Sequence, residues 1–303
     1  MPTASSLRGR SGSVNVTGIR KIGTVGVAAG ARERVSLNSQ QSSHIEGRTA
    51  LITGSSGGLG YAMAEGLARA GCNIVLHGVE APEEVPDQAQ ALNRAHGVEA
   101  AYLQADLRDP AAIEKLLGEV VKRHGGIDIL VNNAVTRHFS PTQAFPVAEW
   151  DRALAVNLSA AFHTIRLSLG GMRERGWGRI FNMTSVYGVR AVANRIDYVT
   201  TKAALIAMTR VIALETINQG ITCNAICPGA VLTPTSDGRI KALMEETGLE
   251  REAATQAFLA GKQPTQRFVD PAHVAELVVF LCGDAGADIT GATLPVEGGW
   301  LAG

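Results

Sequence analysis

The chain is poor in the features that mark several large classes of protein. Four cysteines in 303 residues, Cys72, Cys223, Cys227 and Cys282, are too few and too scattered for a disulfide framework. None forms a Cys-x-x-Cys pair, and His77, His138 and His163 lack ligand spacing, so no catalytic metal is expected. No apolar run approaches the ~18 to 20 residues of a membrane span, and no short apolar segment follows the basic start as in a secretory signal. Charge of either sign is not in excess: 28 basic residues balance 28 acidic ones. Nucleic-acid binding through phosphate neutralisation is therefore not expected.

What is present is apolar residue, 46% of the chain, enough for a sizeable core and too much for disorder throughout. The charge is uneven along the sequence. Residues 1–45 hold six Lys/Arg and one acid, Glu33, together with eight Ser, and show no helical or alternating apolar rhythm. They read as a disordered basic leader or a start codon placed too early; an Arg-rich, Ser-rich transit peptide is the third reading. A cytoplasmic location is expected on the first two and the mitochondrial matrix on the third.

From residue 46 to 303 short β-rich apolar runs alternate with helical patterns, which predicts one α/β domain with a parallel sheet covered on both faces. The expected strands are Thr49–Thr53, Asn73–Leu76, Ala100–Gln104, Ile127–Val131, Arg179–Met183, Thr222–Ile226 and Thr293–Val296, a doubly wound, seven-stranded sheet (Rossmann fold). Between them Leu59, Met63 and Leu67 recur every four residues, and Asp109-Pro110 caps a helix carrying Ile113, Leu116, Leu117 and Val120. Residues 235–265, rich in charge between Pro234 and Pro264, break the rhythm and suggest a mobile helical flap over the carboxyl edge of the sheet. Cys223 and Cys227 fall in an apolar stretch and read as buried strand residues.

The first chemical signal is Thr53-Gly54-Ser55-Ser56-Gly57-Gly58-Leu59-Gly60, directly after the first strand and opening the first helix. Glycines let the backbone turn sharply and approach a ligand, and the helix N-terminus offers free N–H groups to a pyrophosphate. Such a loop can also serve packing alone; its place in a βαβ unit makes nucleotide binding the better reading. Its spacing, Gly54, Gly58, Gly60, resembles the TGxxxGxG loop of the short-chain dehydrogenases/reductases. The other landmarks of that family follow in order: Asp106, Asn132-Asn133-Ala134, Asn157, Ser185, Tyr198 with Lys202, then Pro228-Gly229. The resemblance runs from Arg48 to the C-terminus.

A Ser-x12-Tyr-x3-Lys pattern alone is weak evidence, since a surface Tyr and Lys on a helix would give it too. Yet i, i+4 spacing puts Tyr198 and Lys202 on one helix face, and Ser185 lies just past a strand at the edge where doubly wound sheets bind ligands. A free tyrosine titrates near ~10, so a tyrosine base working near neutrality needs a shift of about three units, roughly 4 kcal/mol. One cation would struggle to supply it, and the positive ring of an oxidised nicotinamide would add to the field.

The resemblance implies oxidation of a secondary alcohol with Tyr198 as general base, Ser185 orienting the oxygen, and Asn157 holding a water that relays the proton through Lys202. It implies a nicotinamide dinucleotide held by Gly54, Ser56, Gly58, Leu59, Gly60, Asp106, Leu107, Asn133, Ala134, Tyr198, Lys202, Pro228, Gly229, Val231 and Thr233. Coenzyme choice rests on His77-Gly78-Val79-Glu80 at the end of the second strand, where an acid takes a ribose 2′-OH and an arginine a 2′-phosphate. No Lys or Arg occurs between Arg69 and Arg94, and Glu80, Glu83 and Glu84 are near, so NAD is expected rather than NADP.

Within the family, Asn224-Ala-Ile-Cys-Pro-Gly229, Gly261-Lys-Gln-Pro264 and Gly298-Gly-Trp-Leu-Ala302 look most like the bacterial D-3-hydroxybutyrate dehydrogenases, which oxidise a small 3-hydroxy acid. The positions that hold the carboxylate there, typically Gln, His, Lys and Gln, fall here at Arg137, Tyr187, Arg195 and Arg239. Three arginines could clamp carboxylates by bidentate forks, unless they are simply solvated. The expected substrate, held also by Ser185, is a 3-hydroxybutyrate-like hydroxy acid, with a larger or doubly acidic one as an open variant. Ala230 replaces a Trp and would open the pocket; Val135 replaces the Gly of Asn-Asn-Ala-Gly and excludes a positive φ.

The alternatives are an NADP-dependent 3-oxoacyl-thioester or carbonyl reductase and a non-catalytic, cofactor-binding scaffold. The family commonly forms homotetramers through its long helices and C-terminal strand, and Trp300-Leu301 is compatible with burial against a partner subunit.

Overall fold

The strands arise where apolar residues run unbroken rather than alternating, because a parallel sheet is buried on both faces. A computed structural model describes residues 45–85 and 87–303. In it β1 (Thr49–Ile52), β5 (Gly178–Met183) and β6 (Ile221–Pro228) are buried at every position. With β2 (Asn73–Gly78), β3 (Ala100–Gln104), β4 (Ile129–Asn132) and β7 (Thr293–Val296) they form one seven-stranded sheet in the order β3-β2-β1-β4-β5-β6-β7. Every pairing is parallel, with Leu51 opposite Val75 on one side and Leu130 on the other.

The expected strands are all present, with shifted ends. β2 and β6 run two residues further, to Gly78 and Pro228, and β4 starts at Ile129 rather than Ile127. The late start of β4 has a cause in Asp128, whose carboxylate accepts the Thr49 N–H at 3.0 Å and the Arg175 Nε–H at 2.9 Å.

Helices cover both faces. On one, α1 (Gly58–Arg69) and α9 (Pro271–Cys282) bury Met63, Leu67, Val274 and Val278 against Phe181 and Ile74. On the other, α3 (Pro110–His124) and α5 (Ala160–Arg175) bury Ile113, Leu117 and Ile165 against Leu51, Val75 and Ile180. Asp109 caps α3 as its sequence implies, accepting the Ala111 N–H at 2.9 Å with Pro110 in the first turn. The remaining helices are α2 (Gln88–His96), α4 (Val147–Leu154), α6 (Ile196–Glu215), α7 (Pro234–Thr247) and α8 (Arg251–Leu259). The charged stretch 235–265 is helical, as expected, and forms α7 and α8.

The expected leader lies outside the described residues except for Ile45. That residue is fully buried in the core, where its carbonyl accepts from Cys72 Sγ, so the body begins at least one residue earlier than composition implied. All four cysteines are free and buried, including the two in β6. Among the described residues no helix is long and apolar enough to cross a membrane, and no cluster of three or more His, Cys, Asp or Glu could hold a metal.

Candidate active site

Strand order reverses between β1 and β4, and the two chain segments leaving their carboxyl ends must part there, opening a crevice. The glycine loop leaves β1 on one side of it. Gly54 has φ 61°, and a Cβ there would sit 2.8 Å from Ala134 Cα. A Cβ on Gly60 would meet Gly54 O at 2.4 Å and Asn133 Nδ2 at 2.7 Å, so only glycine lets α1 start this close to the loop. Gly58 differs: its φ is 57° but a Cβ would meet nothing within 4 Å. The N-terminus of α1 has no side-chain cap and no acid in its first turn. Its free N–H groups and the open space over Gly57 and Gly58 fit a pyrophosphate.

The loop is held from three directions. Asn133, after β4, donates its side-chain amide to Thr53 O at 3.0 Å and Gly54 O at 2.7 Å. Thr53 Oγ1 accepts the N–H groups of Asn133 and Ala134 at 2.9 and 3.1 Å. Gln88 donates to Ser56 O at 2.9 Å. The third support is His77 in β2, whose Nδ1 accepts the Gly54 N–H at 3.1 Å while Nε2 lies 3.1 Å from Ala105 O. Those partners require the neutral imidazole with its proton on Nε2. Burial pushes its pKa down to about 4. Thr53, Gln88 and His77 carry no sequence signal as supports, because their partners are backbone groups that only the fold brings near.

Ser185, Tyr198 and Lys202 are brought together and buried, with 6%, 6% and 3% of their surface exposed. Ser185 follows β5 and accepts the Tyr187 N–H at 3.2 Å. Tyr198 and Lys202 share one face of α6, and Lys202 Nζ lies 5.6 Å from the Tyr198 ring centroid while donating to Met183 O at 2.6 Å. Burial first, and the Arg137 charge second, lower the Lys202 pKa to about 7.

Asn157 also lies here, buried. It sits in a π-helical turn, Ala155–Ser159, between α4 and α5. Its Oδ1 accepts the Thr136 N–H at 2.8 Å, and its Nδ2 donates to Thr136 O at 3.0 Å and to Thr201 Oγ1 at 3.4 Å. The side chain is thus a clamp on the loop after β4. On the other side of Arg137, Asp197 at the start of α6 accepts the His138 N–H at 3.0 Å. Asp197, absent from the expected set, completes a two-point fixation of the segment bearing Arg137.

The three arginines converge. Arg195 Cζ stands 4.6 Å from the Tyr198 ring centroid, 5.7 Å from that of Tyr187 and 4.1 Å from that of Phe139. Arg137 lies over the Tyr198 ring at 5.0 Å and Arg239 over the Phe139 ring at 4.2 Å. Arg195 is buried, and desolvation followed by the charges of Arg137 and Arg239 pulls its pKa down. The reading as three solvated surface arginines does not hold for Arg195. Tyr187 packs edge-on to Tyr198 and to Trp300, at centroid distances of 6.4 and 5.4 Å. Trp300 is therefore buried within its own chain, where Arg190 donates to its carbonyl at 2.8 Å; the indole needs no partner subunit to leave water.

The other residues expected to hold the cofactor follow the carboxyl ends of β3 and β6. Asp106, after β3, is gripped by Arg108, whose Nε lies 2.9 Å from Oδ2, and Leu107 beside it is buried. Gly229 follows Pro228, and its N–H bonds Val296 O at 3.0 Å. A Cβ there would strike Gln263 Oε1, which also accepts the Ala230 N–H; Gln263, buried and unforeseen, braces this turn. Val231 bridges to Val269, and Thr233 caps α7 reciprocally with Ser236. Val135 lies outside the left-handed region, as a β-branched residue must, and is 37% exposed.

A family model described as enoyl-(acyl carrier protein) reductase matches residues 54–301. The chain belongs to the short-chain dehydrogenase/reductase family. It is 40% identical to a D-beta-hydroxybutyrate dehydrogenase of Rhizobium meliloti (strain 1021) over 84% of this chain and 99% of that one. A D-beta-hydroxybutyrate dehydrogenase of Cupriavidus necator is 39% identical, over 85% of this chain and 99% of its own. Among solved structures, that of L-sorbose reductase from Gluconobacter frateurii, complexed with NADPH and L-sorbose, superposes with a TM-score of 0.81 at 32% identity, covering 86% and 98% of the two chains. The chain is an oxidoreductase that interconverts a secondary alcohol and a ketone with a nicotinamide dinucleotide.

Proposed function

We propose that this enzyme is an NAD-dependent dehydrogenase of a 3-hydroxybutyrate-like hydroxy acid. The observation that carries the reading is the grouping of Ser185, Tyr198 and Lys202 beneath arginines that stack on the same tyrosine ring. An anion drawn by those arginines would place its neighbouring hydroxyl against Tyr198 and Ser185. The 40% identity to a D-beta-hydroxybutyrate dehydrogenase supports the same substrate class.

In this reading Ser185 hydrogen-bonds the substrate oxygen and the Tyr198 phenol oxygen takes its proton. Arg137, Arg195 and Lys202, all within 5.6 Å of the ring centroid, stabilise the negative charge through that transfer. Lys202 is locked by Met183 O, so its ammonium does not have to reorganise during the reaction. The dinucleotide, when bound, supplies the hydride acceptor. Asn157 acts as a positioning residue through Thr136.

NAD is favoured because Val79 and Glu80 follow directly on β2, with no Lys or Arg between Arg69 and Arg94 to meet a 2′-phosphate. Tyr102 OH donates to Glu80 O at 2.8 Å and lies 3.4 Å from its Oε2, holding the acid at the strand end. A homotetramer built through the long helices is part of the proposal, supported by Phe162 on α5 and Val211 and Leu214 on α6, all exposed. The test is initial-rate reduction of NAD⁺ and NADP⁺ with D-3-hydroxybutyrate. At least about tenfold higher kcat/KM with NAD⁺ is expected; equal use of NADP⁺ contradicts the coenzyme assignment, and preference for a 3-oxoacyl thioester with NADPH favours the reductase alternative.

A further inference from the structure

We propose that the substrate carries two carboxylates, one taken by Arg195 with Arg137 and the other by Arg239. This deepens the hydroxy-acid reading above and rests on it.

The first observation is a buried cation without a counter-ion. Arg195 is only 9% exposed and its Nε has no hydrogen-bond partner. Neither Arg195, Arg137 nor Arg239 makes an ion pair with any carboxylate among the described residues, although nine other basic side chains, from Arg48 to Arg251, do so. Their partners among the described residues are aromatic faces, which leave the guanidinium edge, the part that forks onto a carboxylate, without a carboxylate there. Gathering three like charges around Phe139 and Tyr198 is unfavourable without an anion, and a single carboxylate would leave most of that charge uncompensated.

The second observation is that the cations occupy two places. Arg137 and Arg195 stack on Tyr198, next to the reacting oxygen in the proposed chemistry. Arg239, on α7, stacks instead on Phe139, whose ring also carries Arg195. One anion position therefore lies beside the phenol and the second beyond Phe139. The inner position is built firmly: Asn157 holds residue 136 and Asp197 holds residue 138, so Arg137 projects from a segment fixed on either side. Asn194, with φ 65°, turns the chain into Arg195, and its carbonyl accepts the Ser140 N–H at 3.2 Å. A 3-hydroxy acid with a second carboxylate further along its chain would engage both positions.

The test compares kcat/KM of the full-length enzyme, with NAD⁺ and with NADP⁺, for 3-hydroxybutyrate, 3-hydroxyglutarate, 3-hydroxyadipate and a phosphorylated hydroxy acid of similar reach, before and after Arg239→Gln. Binding of the same acids to Tyr198→Phe, measured by calorimetry with NADH present, gives a readout independent of turnover. A diacid is expected to exceed 3-hydroxybutyrate by roughly ten- to a hundred-fold. Arg239→Gln is expected to remove that advantage while the Kd for NADH stays unchanged. Equal use of mono- and diacids by both proteins overturns the two-carboxylate proposal and leaves the hydroxy-acid reading standing. Preference for the phosphorylated acid overturns the choice of carboxylate. Failure of every hydroxy acid with either coenzyme overturns the underlying reading itself.

Discussion

The neutral state of His77 is a structural requirement, because Gly54 N–H and Ala105 O need one acceptor and one donor from the same ring. Its pKa of about 4 lies below the 6.5 of a free histidine. Between those values the unfolded chain binds the proton and the folded one does not, so this residue's contribution is full above pH ~6.5 and is lost as pH falls towards 4. The loss is about 3 kcal/mol once both states are protonated. Thermal denaturation from pH 7 to 4 should show a shallower acid limb for His77→Asn than for the parent; parallel limbs would mean that His77 does not control the turn. From sequence His77 is a histidine without ligand spacing, since its role depends on the β1–β2 register and a backbone partner 23 residues away. Ser185, Tyr198 and Lys202 were legible because their spacing is local and their order along the chain is that of the family. The clamp function of Asn157 was not, because it depends on where the loop after β4 comes to lie.

At the scale of an element, the glycine loop and α1 combine two kinds of glycine. Gly60 is irreplaceable for packing, whereas Gly58 borders open space. Gly58→Ala should cost only ~1 to 2 kcal/mol of stability, the price of a left-handed alanine, yet weaken NAD⁺ binding by more than about tenfold because its methyl enters the cradle. Calorimetric titration with a thermal melt separates the two; unchanged affinity would place the pyrophosphate elsewhere. This loop was legible because a strand, a glycine run and a helical pattern stand in immediate succession. The π-helical turn at Ala155–Ser159 was not, since a one-residue shift in hydrogen bonding leaves the apolar spacing of α4 and α5 intact. Strand ends moved for a similar reason: Asp128 looks like any strand-flanking acid until Thr49 and Arg175 are found on its carboxylate.

Over the whole molecule, seven parallel strands send their carboxyl ends to one edge, so residues from 53 to 300 in the sequence meet around one crevice. The unbroken apolar runs made this sheet readable, because burial on both faces leaves few polar residues to confuse the pattern. The convergence of Arg137, Arg195 and Arg239 could be supposed from matched family positions, but Phe139, the ring that gathers two of them, carries no signal of its own. The C-terminal Trp300 shows the limit of reading burial from composition: an apolar ending suggests a partner, and Tyr187 of the same chain provides the contact.

In the proposed reaction the Tyr198 oxygen receives the substrate proton beside a bound dinucleotide. Single-turnover reduction of NAD⁺ by Tyr198→Phe, compared with the parent protein at matched saturation with hydroxy acid, tests it directly. The expected result is a fall in rate of roughly 10²- to 10⁴-fold with the Kd for NADH and the melting temperature essentially retained. A variant that reduces NAD⁺ as fast as the parent would show that another group takes the proton.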